Sequence, residues 1–97
     1  MSVQNTLNER EDRYGSFSGH AGIAQALKRV MHDSPKWTLL YPDQKEALEM
    51  IQHKIARILN GDPFYMDSWH DISGYATLVE QNYTPKPAKD GADLLGR

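Results

Sequence analysis

Residues 42–60 carry the pattern that most limits how this chain folds. Leu48, Ile51, Ile55, Ile58 and Leu59 recur at three- and four-residue steps, with Ala47 widening the stripe; that is the period of one face of an α-helix. Pro42 stands where a first helical turn tolerates a missing N–H, and Asn60-Gly61 supplies residues suited to a helix C-terminus. Such an amphipathic helix needs other apolar faces to cover its stripe, and two more segments offer them. Over about 19–32, Ile23, Leu27 and Val30, flanked by Ala24 and Met31, share a face; Ser18 can cap its start and Ser34-Pro35 stops it. Over about 67–81, Trp69, Ile72, Tyr75, Ala76 and Val79 share a face, Asp67 is placed as an N-cap, and Pro85 follows the end. No segment alternates as a strand would, so no sheet is expected. The expected fold is all-α, with three main helices (about 19–32, 42–60, 67–81) in an antiparallel bundle. Trp37, Leu39, Leu40 and Tyr41 are expected to close one end of its core.

The flanks read differently. Residues 1–18 form a polar N-terminal arm, with charges at Glu9, Arg10, Glu11, Asp12 and Arg13 before the helix-breaking Gly15, Ser16, Ser18 and Gly19. Residues 84–97 hold Pro85, Pro87, Gly91 and Gly96 against only Leu94 and Leu95, which reads as a flexible C-terminal tail. Residues 1–83 are then a single helical domain. A chain of 97 residues buries a limited share of its surface, so completion of the bundle by a homo-oligomer, dimer or higher, is expected. The 11 basic and 13 acidic residues leave a formal charge of −2, which argues against DNA or RNA binding through bulk positive charge. The absence of cysteine excludes disulfides, thiolate zinc sites and a cysteine nucleophile. No apolar run approaches the roughly 18 residues that span a bilayer, and the N-terminal residues lack a signal-peptide pattern. The expectation is a cytoplasmic protein that is not a membrane protein.

The chemistry-bearing residues sit opposite the apolar stripes. At 100° per residue, Glu46, Glu49, His53 and Arg57 fall within a sector of roughly 80° on the far side of the second helix. Carboxylates three residues apart can bind one divalent cation through oxygen, or be a solvated face of i,i+4 neighbours. The third helix repeats the arrangement with Asp67, His70, Asp71 and Gly74, where a glycine inside a helix invites close approach of a ligand or another backbone. If the two acidic faces meet at a covered interface, their carboxylates repel, and Mg²⁺ would relieve the repulsion. Arg13-Tyr14-Gly15 is a short turn whose arginine can meet a phosphate or simply lie on the surface. Lys54 is either a phosphate contact or a snorkelling lysine, and His20, near the apolar side of the first helix, reads first as a hydrogen-bonded core residue.

The segments Glu9-Arg-Glu-Asp-Arg-Tyr-Gly15, His20-Ala21, Ala47 to Asp62 and Trp69-His-Asp-Ile-Ser-Gly-Tyr-Ala76 resemble a family of small phage and prophage proteins of unknown function. That family in turn looks distantly like the all-α, MazG-like nucleoside triphosphate pyrophosphohydrolases. The resemblance implies Mg²⁺ held by a Glu-x-x-Glu pair, matched by Glu46 and Glu49, and by a Glu-x-x-Asp pair on the next helix. Asp71 matches the closing Asp of that second pair. Ser68 stands where its Glu would be, and Asp67 lies one residue further back. The implied activity is Mg²⁺-dependent hydrolysis of a nucleotide phosphoanhydride by a homo-oligomer, in the host cytoplasm if phage-encoded. Within it His53 or His70 would act as general base. Arg13, Lys54 and Arg57 would neutralise phosphate charge, and Trp37 or Tyr41 would stack on a base. Two readings stay open beside it: a non-enzymatic phage protein that binds a host protein or a nucleotide, and a purely structural oligomer.

Overall fold

The computed structural model describes residues 2–83, which are all-helical. Helix α1 spans Val3–Tyr14, α2 Phe17–Asp33, α3 Pro42–Asn60 and α4 Met66–Tyr83, with a single 3₁₀ turn at Trp37–Leu39 between α2 and α3. Helix α3 has the boundaries that its flanking signals imply. Pro42 opens it, the Tyr41 N–H donates to Gln44 Oε1 at 2.9 Å, and the Gly61 N–H returns to Arg57 O at 3.0 Å. The expected tail, 84–97, lies outside the described residues.

Among the described residues there are four α-helices where three are expected, because the polar arm is itself helical. Ser2 Oγ accepts the N–H of Asn5 and caps α1, while Gly15, at φ 75°, closes it through its N–H to Glu11 O. Arg, Glu, Gln and Leu are good helix formers, so local propensity builds a helix that has no apolar stripe. Helix α2 starts two residues before the expected point because Ser16, not Ser18, accepts the N–H of Gly19. Helix α4 starts at Met66, which places Asp67 in the first turn rather than at the cap, and runs to Tyr83.

Helix α3 is the central element, packed on α2 along one side and on α4 along another. Both pairs are antiparallel. Asn60 at the end of α3 reaches the start of α2, and Glu49 meets His32 near the end of α2. Asp43 at the start of α3 accepts from Asn82 and Tyr83 at the end of α4.

The interior of the single chain differs from expectation. Among the described residues the buried apolar ones are Ala24, Ala47 and Ala56, joined by the polar His20, Gln52 and Ser68. Of the expected stripes, Ile51, Ile55, Ile58, Ile72 and Val79 are half-buried, whereas Leu59 is 66% exposed, Val30 68% and Trp69 52%. Leu39 and Tyr41 are exposed as well, so of the expected plug only Trp37 and Leu40 are partly covered. Small residues let α2, α3 and α4 approach closely, and the polar face of α3 is drawn into that contact. His53, Arg57 and Glu49 are half-buried there instead of lying in open solvent.

Candidate functional site

Two tight turns fix the end of the bundle where α1, α2 and α3 meet. The turn after α1 (Arg13-Tyr14-Gly15) and the turn after α3 (Asn60-Gly61-Asp62) touch backbone to backbone. Arg13 O accepts the Asp62 N–H at 2.8 Å, and Asn60 Nδ2 donates to Tyr14 O at 2.7 Å and to Ser16 O at 2.8 Å. A Cβ on Gly61 would collide with Arg13 O and Tyr14 Cα, and one on Gly15 would collide with Asn60 O. Glycine is therefore required at both positions by contact, and at Gly15 also by its left-handed φ. Side chains reinforce the clamp: Arg13 lies over the Tyr65 ring at 5.2 Å, and Tyr14 meets Tyr65 edge-on at 6.0 Å.

The clamp positions Tyr14, and Arg57 lies over its ring at 4.1 Å. One turn back along α3, His53 Nδ1 stands 3.2 Å from Nε2 of His20, with the rings at 76°. These four residues line a groove of about 340 Å³, with Leu7, Arg10 and Glu11 from α1 and Phe17 from α2 on its walls. Phe17 is 81% exposed, a free aromatic face at the rim.

Electrostatics keep the two imidazoles neutral. Burial and then the Arg57 charge lower the His20 pKa below the usual 6.5. For His53 burial acts first, followed by Arg57, His20, Lys54 and Lys28, and its pKa falls to about 4. One imidazole donates to the other. Whichever does, His20 Nδ1 is buried with no hydrogen-bond partner among the described residues, in a side chain only 7% exposed. An unsatisfied buried nitrogen costs about 1–3 kcal/mol, and such groups concentrate at sites with a task beyond packing.

The other expected site residues are dispersed. Lys54 Nζ pairs with Asp71 at 3.0 Å across α3 and α4. Glu49 is held by His32 Nε2 at 2.7 Å, and His32 in turn packs against Trp37 with ring centroids 4.8 Å apart. Asp67 accepts the Tyr65 hydroxyl at 2.9 Å, beside Arg13. Glu46 is exposed on α3. His70 and Asp71 line a separate open concavity of about 620 Å³ along α4, with Gly74 and Leu78. His53 and Arg57 are thus brought together, whereas Glu46, Glu49, Asp67 and Asp71 face different neighbours. Among the described residues no three of His, Asp and Glu stand close enough to hold one metal ion. The carboxylates as placed do not fit a shared Mg²⁺. Sequence reading took His20 first as a core residue. It is indeed buried, and its pairing with His53 has no signal in spacing because the two histidines lie on different helices.

The groove and its clamp draw on residues from Gln4 to Tyr65, and one family covers all of them: DUF6378, a domain of unknown function, matches residues 2–83. The chain belongs to the DUF6378 family. No curated protein and no solved structure matches it. The DUF6378 match takes in the Arg13-Tyr14-Gly15 and Asn60-Gly61-Asp62 turns as well as His20, His53 and Arg57. No helix among the described residues is long and apolar enough to cross a membrane.

Proposed function

We propose that this DUF6378 protein binds a nucleotide through its phosphates in the α1–α2–α3 groove and hydrolyses a phosphoanhydride bond of it. The observation that carries the reading is the placement of the Arg57 guanidinium beside two neutral histidines in one groove. Arg57 and Arg10 supply fork-shaped donors for phosphate oxygens, and Phe17 offers a surface on which a base can stack. A water molecule attacks phosphorus, and its proton passes to His53 Nε2. That requires the tautomer in which His53 Nδ1–H donates to His20 Nε2. The anhydride P–O bond breaks, and the charge growing on the leaving phosphate is met by Arg57. An incoming phosphate also raises the His53 pKa, because its negative charge offsets the Arg57 repulsion. The MazG-like resemblance supports the same substrate class. The carboxylate positions give no equal support to its metal site.

The exposed Leu59, Val30, Trp69 and Leu78, beside an interior of three alanines, support assembly with further copies of the chain, since a surface this apolar is unfavourable in water. Sedimentation across a concentration series tests this: a dimer or larger species is expected, and a monomer at every concentration refutes it.

Release of pyrophosphate or phosphate from each common nucleoside triphosphate, with and without Mg²⁺, tests the hydrolytic reading. Activity lost in His53→Gln with binding kept is the expected pattern. Binding without release from any nucleotide refutes hydrolysis while leaving the binding site standing. A small protein that captures a nucleotide or a host protein without turnover is then the reading that remains.

A further inference from the structure

We propose that His20 and His53 form a two-nitrogen site for a divalent transition metal of the Zn²⁺ or Ni²⁺ class, with water in the remaining positions. The site does not require that the groove takes a nucleotide, and its ion-bound form, with His53 protonated on Nε2, is not the form in which His53 accepts a proton from water. Its geometric basis is the separation of the two nitrogens. An ion about 2.0–2.1 Å from each of two imidazole nitrogens, at a tetrahedral angle, holds them roughly 3.3 Å apart. His20 Nε2 and His53 Nδ1 stand at 3.2 Å. They come from α2 and α3, which pack along one another and are tied at one end by the Asn60 bond to Ser16 O. The chelating pair is therefore assembled before any ion arrives.

Access and protonation agree with the geometry. Both histidines line the groove, which gives an ion and its waters a way in, and Glu11 lines it too. Imidazole binds metal only when neutral, and burial together with Arg57 keeps both rings neutral at pH 7. Binding needs no net proton release. The donor ring changes tautomer, moving its proton off the shared axis to its other nitrogen, so that His20 carries its proton on Nδ1 and His53 on Nε2.

The charges facing His53 set the choice of ion. Arg57, Lys54 and Lys28 all disfavour a dication, although Arg57 is engaged over Tyr14 and Lys54 by Asp71. An ion that gains little from nitrogen cannot offset that repulsion, which excludes Mg²⁺, whose preferred ligands are oxygens. Zn²⁺ and Ni²⁺ suit imidazole. No third His, Asp or Glu among the described residues completes a closed site, so the coordination stays open.

The test is calorimetric titration of the full chain with Zn²⁺ in a non-coordinating buffer. One ion per chain is expected, with affinity reduced about tenfold or more in His53→Gln and unchanged in His32→Gln, which removes the rival His32–Glu49 pair. Mg²⁺ in excess should not displace the ion. No Zn²⁺ binding up to millimolar concentration overturns the proposal, as does wild-type affinity in His53→Gln or lost binding in His32→Gln. Should His53→Gln fail to fold, imidazole ¹⁵N shifts of the wild-type chain decide. Zn²⁺ must move His20 Nε2 and His53 Nδ1 together, and shifts confined to His32 or His70 overturn the assignment.

Discussion

Gly61→Ala is expected to destabilise this protein far more than its chemistry suggests, and Gly74→Ala to do the opposite. At Gly61 φ is −122°, outside the left-handed region that favours glycine. The cost is steric, because the new Cβ would lie against Arg13 O and the Tyr14 backbone. To relieve it the two turns must separate, which breaks the Asp62 to Arg13 bond and both Asn60 bonds. Three hydrogen bonds at about 0.5–1.5 kcal/mol each give roughly 1.5–4.5 kcal/mol. Losing the Arg57–Tyr14 stack adds about 0.5–1 kcal/mol. The expected loss, about 2–5.5 kcal/mol, is a large part of a small domain's stability. At Gly74 an added Cβ meets nothing within 4 Å. Alanine in that helix interior should stabilise by about 0.5–1 kcal/mol. Urea unfolding of both variants at one protein concentration measures the difference, read as a shift of midpoint at constant m. If Gly61→Ala unfolds within about 0.5 kcal/mol of wild type, the turn-to-turn clamp does not hold the groove together.

Other outcomes follow from the same contacts. The folded His53 pKa, about 4, lies below the unfolded value of 6.5. Its contribution is therefore complete above pH 6.5 and lost as pH falls toward 4. That difference corresponds to about 3 kcal/mol, which solvent around this half-buried ring screens to roughly 1–2 kcal/mol. His53→Gln should lose that much less stability than wild type between pH 7 and pH 4, and identical losses in parallel melts would contradict the assignment. Asp71→Asn removes the partner of Lys54 in a pair open to solvent on the carboxylate side. It should cost less than about 1 kcal/mol in a urea melt, and a much larger loss would mean that the pair is covered in solution. Leu59→Glu places a charge on an exposed apolar position. It should shift the sedimenting species toward monomer while leaving helicity by circular dichroism intact.

Much of the architecture was legible in the residues. Pro42, Asn60-Gly61 and the intervening stripe defined α3 to the residue, because its start, stop and period are all local signals. Helix α1 was not, since a polar segment without a stripe differs from a loop only in weak propensity, and the glycines after it looked like breakers. Those glycines are where Gly15 and Gly61 bring two turns into contact, a pairing across 46 residues that no local rule expresses. The candidate site was half legible. A helical wheel places Glu46, Glu49, His53 and Arg57 on one side of α3, but not the rotation of α3 against its neighbours. That rotation gives His53 to His20, Glu49 to His32 and Lys54 to Asp71, and it leaves no three His, Asp or Glu among the described residues around one metal position.

The central claim is that the groove beside His20, His53 and Arg57 receives nucleotide phosphate. Calorimetric titration of the wild-type chain and of Arg57→Ala with nucleoside triphosphates tests it most directly. Saturable binding to the wild type is expected, weakened about tenfold or more in Arg57→Ala by loss of a phosphate-binding guanidinium. Equal affinity in the two proteins, or no binding of any nucleotide to the wild type, would contradict it.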